Sequence, residues 1–545
     1  MVFKAAVAAT TAALSVGTAL AGAAVPASAS PPGPGRHEAF TRTVRTGSDG
    51  EAKARRPHLK KAAGEHVLKV DVLDREGKAP STDRDSRLYV WPLNGDMPTG
   101  LDVENGHAEG PVPDGEYIVY SKIYDTAPDG RTSAALMYLP KVTIAADTAL
   151  TLDARTTRPV RVTADRPDAA PLATAAVISQ RLGDHVQWMT EIDGNDLYVT
   201  PQPAGGDLAF HVLAVLTRGG VEKGSPYAYN IATTAQGIPA DPSVHVREAE
   251  MARVRTRYAS EGAPGCVGGH AMADLGLEAG IGLYEAPGAL PAERVEYYTP
   301  GVKWDLNRGL TDASCSFQSL DYYERQERFP APGRYTRTWN TAPVAASAGT
   351  FTPDHDGQNF VQVPMLSTAD TISGPGPDAS SQGTTTLTDA SGAMVATSSI
   401  PGVLDGWEPA KPGPHTLTVD DRRSAPWSAL STRQHIVWNL NVTDPKATLP
   451  LGVVRYRVPG LDASNRAAAS ARQTITLTPD TLPASSAPKL WTSTDSGTTW
   501  QPVPVTATDQ GWKATFTNPP KGTVSLRAQV PGVVDQTLID AYGLR

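Results

Sequence analysis

Glycine and proline interrupt this chain from end to end, 49 Gly and 47 Pro among 545 residues. Proline fixes φ and removes a backbone donor, and glycine ends regular elements, so long uninterrupted helices cannot dominate. Short strands joined by frequent turns are the expectation. The length exceeds what one hydrophobic core supports, since cores stop growing near ~250–300 residues, and several domains in series follow. With 57 acidic against 49 basic residues and a net charge of -8, the chain lacks the basic balance of a nucleic-acid binder.

Met1-Val2-Phe3-Lys4 leads into an Ala/Val/Leu-rich run from Ala5 to Val25 and then Ala27-Ser28-Ala29, small residues where a signal peptidase inspects the chain. Residues 1–29 are read as a signal peptide cleaved after Ala29 rather than as a membrane anchor, because the run is rich in Ala and Thr, not Leu. No second apolar run of spanning length follows, so a secreted, extracellular, monomeric chain without a transmembrane segment after cleavage is expected. Residues 30–64 are Pro-, Gly- and charge-rich, with Arg42, Arg45, Arg55, Arg56, Lys60 and Lys61, and read as a disordered linker. Export places Cys266 and Cys315 in an oxidising compartment, where one disulfide is expected. Its loop of roughly 50 residues is worth about 4 kcal/mol on the chain-entropy model.

From His66 the pattern becomes alternating: Val67, Lys69, Val70, Val72 and Leu73, a turn at Asp74–Lys78, then Leu88-Tyr89-Val90-Trp91. Period-two apolar spacing bounded by Gly and Asp means half-buried strands. Asp74, Gly77 and Pro80, then Pro113, Gly115 and Tyr117, fit the turns of the small Greek-key sandwich found beside carboxypeptidases, which this segment resembles. The chain is thus expected to be all-β, several Ig-like or carboxypeptidase-regulatory-like β-sandwich domains in series. The regions are 65–155 (carboxypeptidase-regulatory-like), 156–258 (a second β-domain), 259–345 (containing the disulfide), 346–445 (a sandwich) and 446–545 (a C-terminal β-domain). The charged segment 244–258 is read as strand. Ser493-Thr494-Asp495-Ser496-Gly497-Thr498-Thr499-Trp500 matches an Asp-box, in which Asp495 and Gly497 shape a turn over Trp500. A single copy disfavours a propeller.

Thr151-Leu152-Asp153-Ala154-Arg155, Glu296-Tyr297-Tyr298-Thr299-Pro300-Gly301, Leu449-Pro450-Leu451-Gly452-Val453-Val454-Arg455, Val524-Ser525-Leu526-Arg527-Ala528 and the ending Asp540–Arg545 resemble the noncatalytic C-terminal half of large secreted subtilisin-like serine peptidases of actinobacteria. The resemblance runs from about residue 65 to the end. The peptidase domain it would imply is missing: Gly383-Thr384-Thr385 and Gly497-Thr498-Thr499 place Thr where the Ser nucleophile stands, so no triad carries over.

Other chemistry is weakly encoded. His66, His107, His185, His211, His245 and His270 are isolated in sequence and read as surface or core residues, not ligands. Asp83 and Asp85, and Asp354, Asp356, Gln358 and Asn359, place oxygens close together as Ca²⁺ requires, although a plain Asp/Gly turn is the simpler reading. Trp188, Trp304, Trp407, Trp427 and Trp438 are candidate sugar platforms by residue type, set against a core role for most of them. No catalytic residue, metal or cofactor is assigned. The expected function is that of a secreted non-catalytic accessory or binding protein, its partner another protein or a cell-wall polymer. The alternative is a hydrolase with a carboxylate pair in an interdomain cleft.

Overall fold

A computed structural model describes residues 64–80, 87–95, 97–126, 132–183, 185–193, 196–277, 280–315, 321–373, 380–406, 408–482, 487–509 and 511–545. The expected signal peptide, and the expected linker up to residue 63, lie outside these residues. Among the described residues every regular element is a strand except two single 3-10 turns, Ala154–Thr156 and Glu248–Glu250. The protein is all-β, built as several β-sandwiches in series.

Strand Glu65–Leu73 buries Leu68, Val70 and Val72 and exposes Lys69 and Asp71, while Val67 and Leu73 are half-buried. It lies between His107–Pro113 and Thr148–Asp153 in a three-stranded sheet. That sheet packs on a six-stranded one ordered Thr99–Asp102, Arg87–Pro92, Gly115–Thr126, Thr132–Ile144, Leu197–Val199, Arg158–Pro159. The two long strands of the second sheet are apolar almost continuously because both their faces are covered. Val119, Ala135 and Met137 face the first sheet; Ile118, Tyr120, Leu136 and Tyr138 face a seven-stranded sheet on the other side.

The seven-stranded sheet runs His185–Asp193, Ala169–Leu182, Leu208–Arg218, Tyr227–Gln236, Ala292–Tyr298, Ala252–Tyr258, Gly333–Trp339. It too is buried on both faces, Ile178, Phe210 and Val212 on one side, Val177, Leu213 and Val215 on the other. The second face meets a five-stranded sheet that includes Cys266–Ala273, Ile281–Ala289 and Lys303–Thr311. Cys266 and Cys315 are joined by a disulfide at the end of that sheet. The segment 244–258 is extended, as expected, but in two strands, Val244–Val246 and Ala252–Tyr258, around the turn Glu248–Glu250.

Beyond residue 346 one core serves most of the described residues, while Leu366 and Trp427 pack into the preceding one. A nine-stranded sheet, ordered Met394–Ser398, Ser381–Asp389, Gly413–Arg423, Arg433–Val442, Val534–Leu544, Thr523–Val530, Lys489–Ser493, Gln501–Val503, with Arg466–Ala467 beside Val534–Leu544, lays Leu417, Ile436, Trp438 and Leu526 inward. Two four-stranded sheets cover that inner face, one contributing Phe351 and Val361, the other Ile475, Leu477 and Trp512. Sheets cross several of the expected regional borders: the seven-stranded sheet has strands on both sides of 258, and the nine-stranded sheet on both sides of 445.

Candidate ligand-binding face

The outer face of the nine-stranded sheet follows from the period-two rule applied to its inner face. If Ile436 and Trp438 point inward, His435, Val437 and Asn439 point outward, and the same holds for Arg527 and Gln529 and for Asp535 and Thr537. Register aligns these residues into rungs across the strands. One rung reads Thr384, Asp420, His435, Thr537, Arg527, Trp491, Pro502. A second reads Thr386, Thr418, Val437, Asp535, Gln529, Lys489.

Across the middle of this face lies a half-open groove of about 430 Å³, lined by His435, Val437, Asn439, Arg527, Gln529, Val530, Gly532, Val534, Asp535 and Thr537. Its volume falls in the ~300–1,000 Å³ range of small-ligand sites. The polar side chains are held in place before any ligand arrives. Arg527 donates to Asp535 through Nε at 3.0 Å and Nη2 at 2.6 Å, and Gln529 Nε2 donates to the same carboxylate at 3.1 Å. The guanidinium lies 5.5 Å from the centre of the Trp491 ring, and its hydrogen bonds to Asp535 raise its pKa further. His435 Nδ1 lies 3.0 Å from Asp420 Oδ1, which also accepts from Arg433 at 3.4 Å.

The carboxylates that are fully buried sit elsewhere. Between the seven- and five-stranded sheets, Glu296 accepts from Thr256 at 2.9 Å, Tyr258 at 2.5 Å, Tyr298 at 2.9 Å, Arg294 at 2.6 Å and Arg337 at 3.1 Å. Glu285 is bridged by Arg294 and by Arg308 at 2.8 Å. Burial works against the charged form of Glu296, but Arg294, Arg308 and Arg337 outweigh it and hold its carboxyl well below the usual range. A second cluster sets Arg423 against Asp321 at 2.7 Å and Glu261 at 2.5 Å. Each of these carboxylates is engaged by a guanidinium inside the protein, with Arg423 shared between Asp321 and Glu261, and Glu285, Glu296 and Asp321 are 0 % exposed, so no substrate bond reaches them.

The residues singled out in the sequence are scattered. Trp304, Trp427 and Trp438 are core side chains, Trp188 is half-buried against the core, and Trp407 lies outside the described residues. The ring on the open sheet face is Trp491, which residue type alone did not single out. Asp83 and Asp85 lie outside the described residues. Asp356 and Gly357, with φ of 53° and 92°, form the two-residue turn between Gly349–His355 and Gln358–Gln362. Asp354 caps that turn by accepting from Gly357 N at 2.9 Å and pairs with Lys446 at 2.7 Å, while Asn359 is buried and donates to Glu408 O at 2.6 Å. Among the described residues no group of three or more His, Cys, Asp or Glu gathers as metal ligands.

His66 lies 2.5 Å from Asp114 and 3.9 Å from Asp147, His107 lies 3.0 Å from Asp71 and 3.5 Å from Glu109, and His245 lies 3.2 Å from Asp165 and 2.9 Å from Thr163. His270 is half-buried and stands edge-on to Tyr284. His185 opens its strand. His211 is buried between Ser179 Oγ at 2.9 Å and Thr234 Oγ1 at 2.8 Å, with its pKa pushed down to about 4 by burial. A serine beside a histidine invites comparison with a nucleophile and its base. Here the third partner is a hydroxyl and not a carboxylate, and Ser179 and His211 are 5 % and 3 % exposed.

Around the Asp-box, Asp495 accepts from Thr499 through both its side chain at 2.6 Å and its backbone at 2.9 Å, and from Ser493 at 2.7 Å. The hydrogen bonds from Thr499, followed by that from Ser493, hold its carboxyl down at about 2. Gly497 has a φ of 86°, and Trp500 lies against it.

No protein-family model matches the chain, and no curated protein does. Among solved structures, a candidate adhesin from Bacteroides ovatus is 9% identical with a TM-score of 0.15, covering 33% of this chain and 88% of that one. The TIE protein of Bacillus anthracis is 10% identical with a TM-score of 0.12, covering 51% of each chain. At such scores neither neighbour carries an argument about this protein.

Proposed function

We propose that this is a secreted extracellular binding protein that acts without chemistry of its own and engages its ligand on the outer face of the nine-stranded sheet. The observation that supports this reading is the 430 Å³ groove lined by Arg527 and Gln529, both already bonded to Asp535. Side chains fixed in advance lose little freedom on binding. The leader-like residues 1–29 and the disulfide favour an oxidising, extracellular setting. A cell-wall polymer and a secreted peptidase are the partner classes in view, the second resting on the resemblance of the motifs around Glu296 and Arg527.

The test is retention of the full chain on purified cell-wall material, compared with a Trp491→Ala/Asp535→Ala double variant that keeps its circular dichroism. Retention by the native chain and its loss in the variant is the expected result. Equal retention of both, or turnover by the native chain in a broad hydrolase panel, overturns the proposal.

A further inference from the structure

We infer that the ligand of this face is an uncharged polysaccharide chain, an assignment that rests on the binding role proposed above. Charge favours a neutral ligand. Within the groove Arg527 and Asp535 cancel each other at 2.6 Å, and next to it Asp420 is shared by His435 and Arg433. A polyanion would have to compete with Asp535 for Arg527, and a polycation with Arg527 for Asp535. A ligand without charge leaves that pair intact.

The mixture of donors and acceptors favours hydroxyls. A guanidinium only donates and a carboxylate only accepts, whereas Gln529, Asn439 and Thr537 do both. A hydroxyl also does both, so one sugar hydroxyl accepts from Arg527 while donating to Asp535, and a neighbouring hydroxyl repeats this with Gln529 or Asn439. A chain bearing many hydroxyls meets a lining of this mixture without leaving a donor or an acceptor unpaired.

The shape of the face favours a chain. The groove is open and not a closed cavity, and its rung continues over Arg527 to the half-buried ring of Trp491 and the exposed Pro502. The Arg527 guanidinium lies beside that ring, 5.5 Å from its centre. An aromatic face takes the C–H face of a pyranose, and an open rung lets a chain run past where a closed pocket would capture only its end.

The test is affinity electrophoresis of the full chain in native gels containing mixed-linkage β-glucan, xylan, galactomannan or α-mannan, with polygalacturonate and hyaluronan gels for comparison. Retardation in at least one neutral gel is expected, weakened roughly tenfold or more by Trp491→Ala and by Asp535→Asn. Trp491→Phe, which keeps a ring, retains part of the effect and guards against a folding artefact. Retardation only in acidic gels, none in any gel, or retardation unchanged by the variants overturns the inference. If cell-wall retention depends on this face while every neutral gel is silent, the sugar assignment falls and the binding role stands; if retention fails as well, both fall.

Discussion

Glu296 receives six hydrogen bonds from five residues, inside a cluster where Arg294, Arg308 and Arg337 are balanced by Glu285, Glu296 and Glu327. Glu296→Gln keeps the volume but strands guanidinium charge in the interior. A loss of about 3–5 kcal/mol is expected, read as a lowered denaturant midpoint of the disulfide-containing region. Ser179 and Thr234 make His211 a different case, a buried ring that stays neutral in the folded protein, its pKa pushed down to about 4. The unfolded chain takes up that proton near pH 6.5, before the folded one does. Its linkage contribution is therefore intact above about pH 6.5 and is lost as pH falls towards 4, by up to roughly 3 kcal/mol. Denaturation midpoints measured from pH 7 to 4.5 should show this fall in the native chain and a flatter profile in His211→Gln; parallel profiles would remove His211 as its source.

Turns connect these residues to their strands, and two glycines separate backbone strain from packing. Gly357 has a φ of 92° with nothing near the position a Cβ would take, so Gly357→Ala should cost only the conformational penalty of about 1–2 kcal/mol. Gly497 combines a φ of 86° with Ile539 Cδ1 2.5 Å from the same position, so Gly497→Ala should cost distinctly more. Equal losses in urea melts would mean that Ile539 moves aside freely. Turns of this kind were legible in the sequence, because Asp-Gly pairs and the Asp-box carry their own backbone requirements. Strand alternation was legible too, as in Leu68, Val70 and Val72. The stacking of sheets was not, since Tyr117-Ile118-Val119-Tyr120 says only that both faces are buried, not which sheets bury them. The candidate face was hidden for a related reason: alternation yields two sets of side chains, Ile436 and Trp438 or His435, Val437 and Asn439, but the covering sheets that choose between them come from residues far along the chain. Tryptophan type was a poor guide, because large rings fill cores, and Trp304 and Trp438 are 1 % exposed.

At the scale of the molecule, what matters is how the stacked sheets before residue 345 are joined to the sandwich that carries the groove. The joint is a buried polar network in which one guanidinium serves two carboxylates. Arg423, at the end of Gly413–Arg423, reaches Asp321 at 2.7 Å and Glu261 at 2.5 Å, and Trp427 Nε1 donates to Asp321 at 2.9 Å. Asn465 donates to Ser260 O at 3.0 Å and Asn340 O at 2.7 Å while accepting from Ala342 N at 2.9 Å, so one amide fastens three segments. These groups are almost fully excluded from water, and a partner left unpaired there bears a full desolvation penalty. Coupling between the two parts follows. Arg423→Met leaves Asp321 and Glu261 without their guanidinium, and hydrogen exchange should accelerate on both sides of the joint, in Asp321–Arg328 as well as in Gly413–Arg423. Faster exchange confined to Gly413–Arg423 would mean that the two parts hold their structure independently. Coupled exchange would mean that the groove-bearing sheet draws part of its rigidity from the sheets before it, and that its pre-set side chains depend on residues more than a hundred positions away.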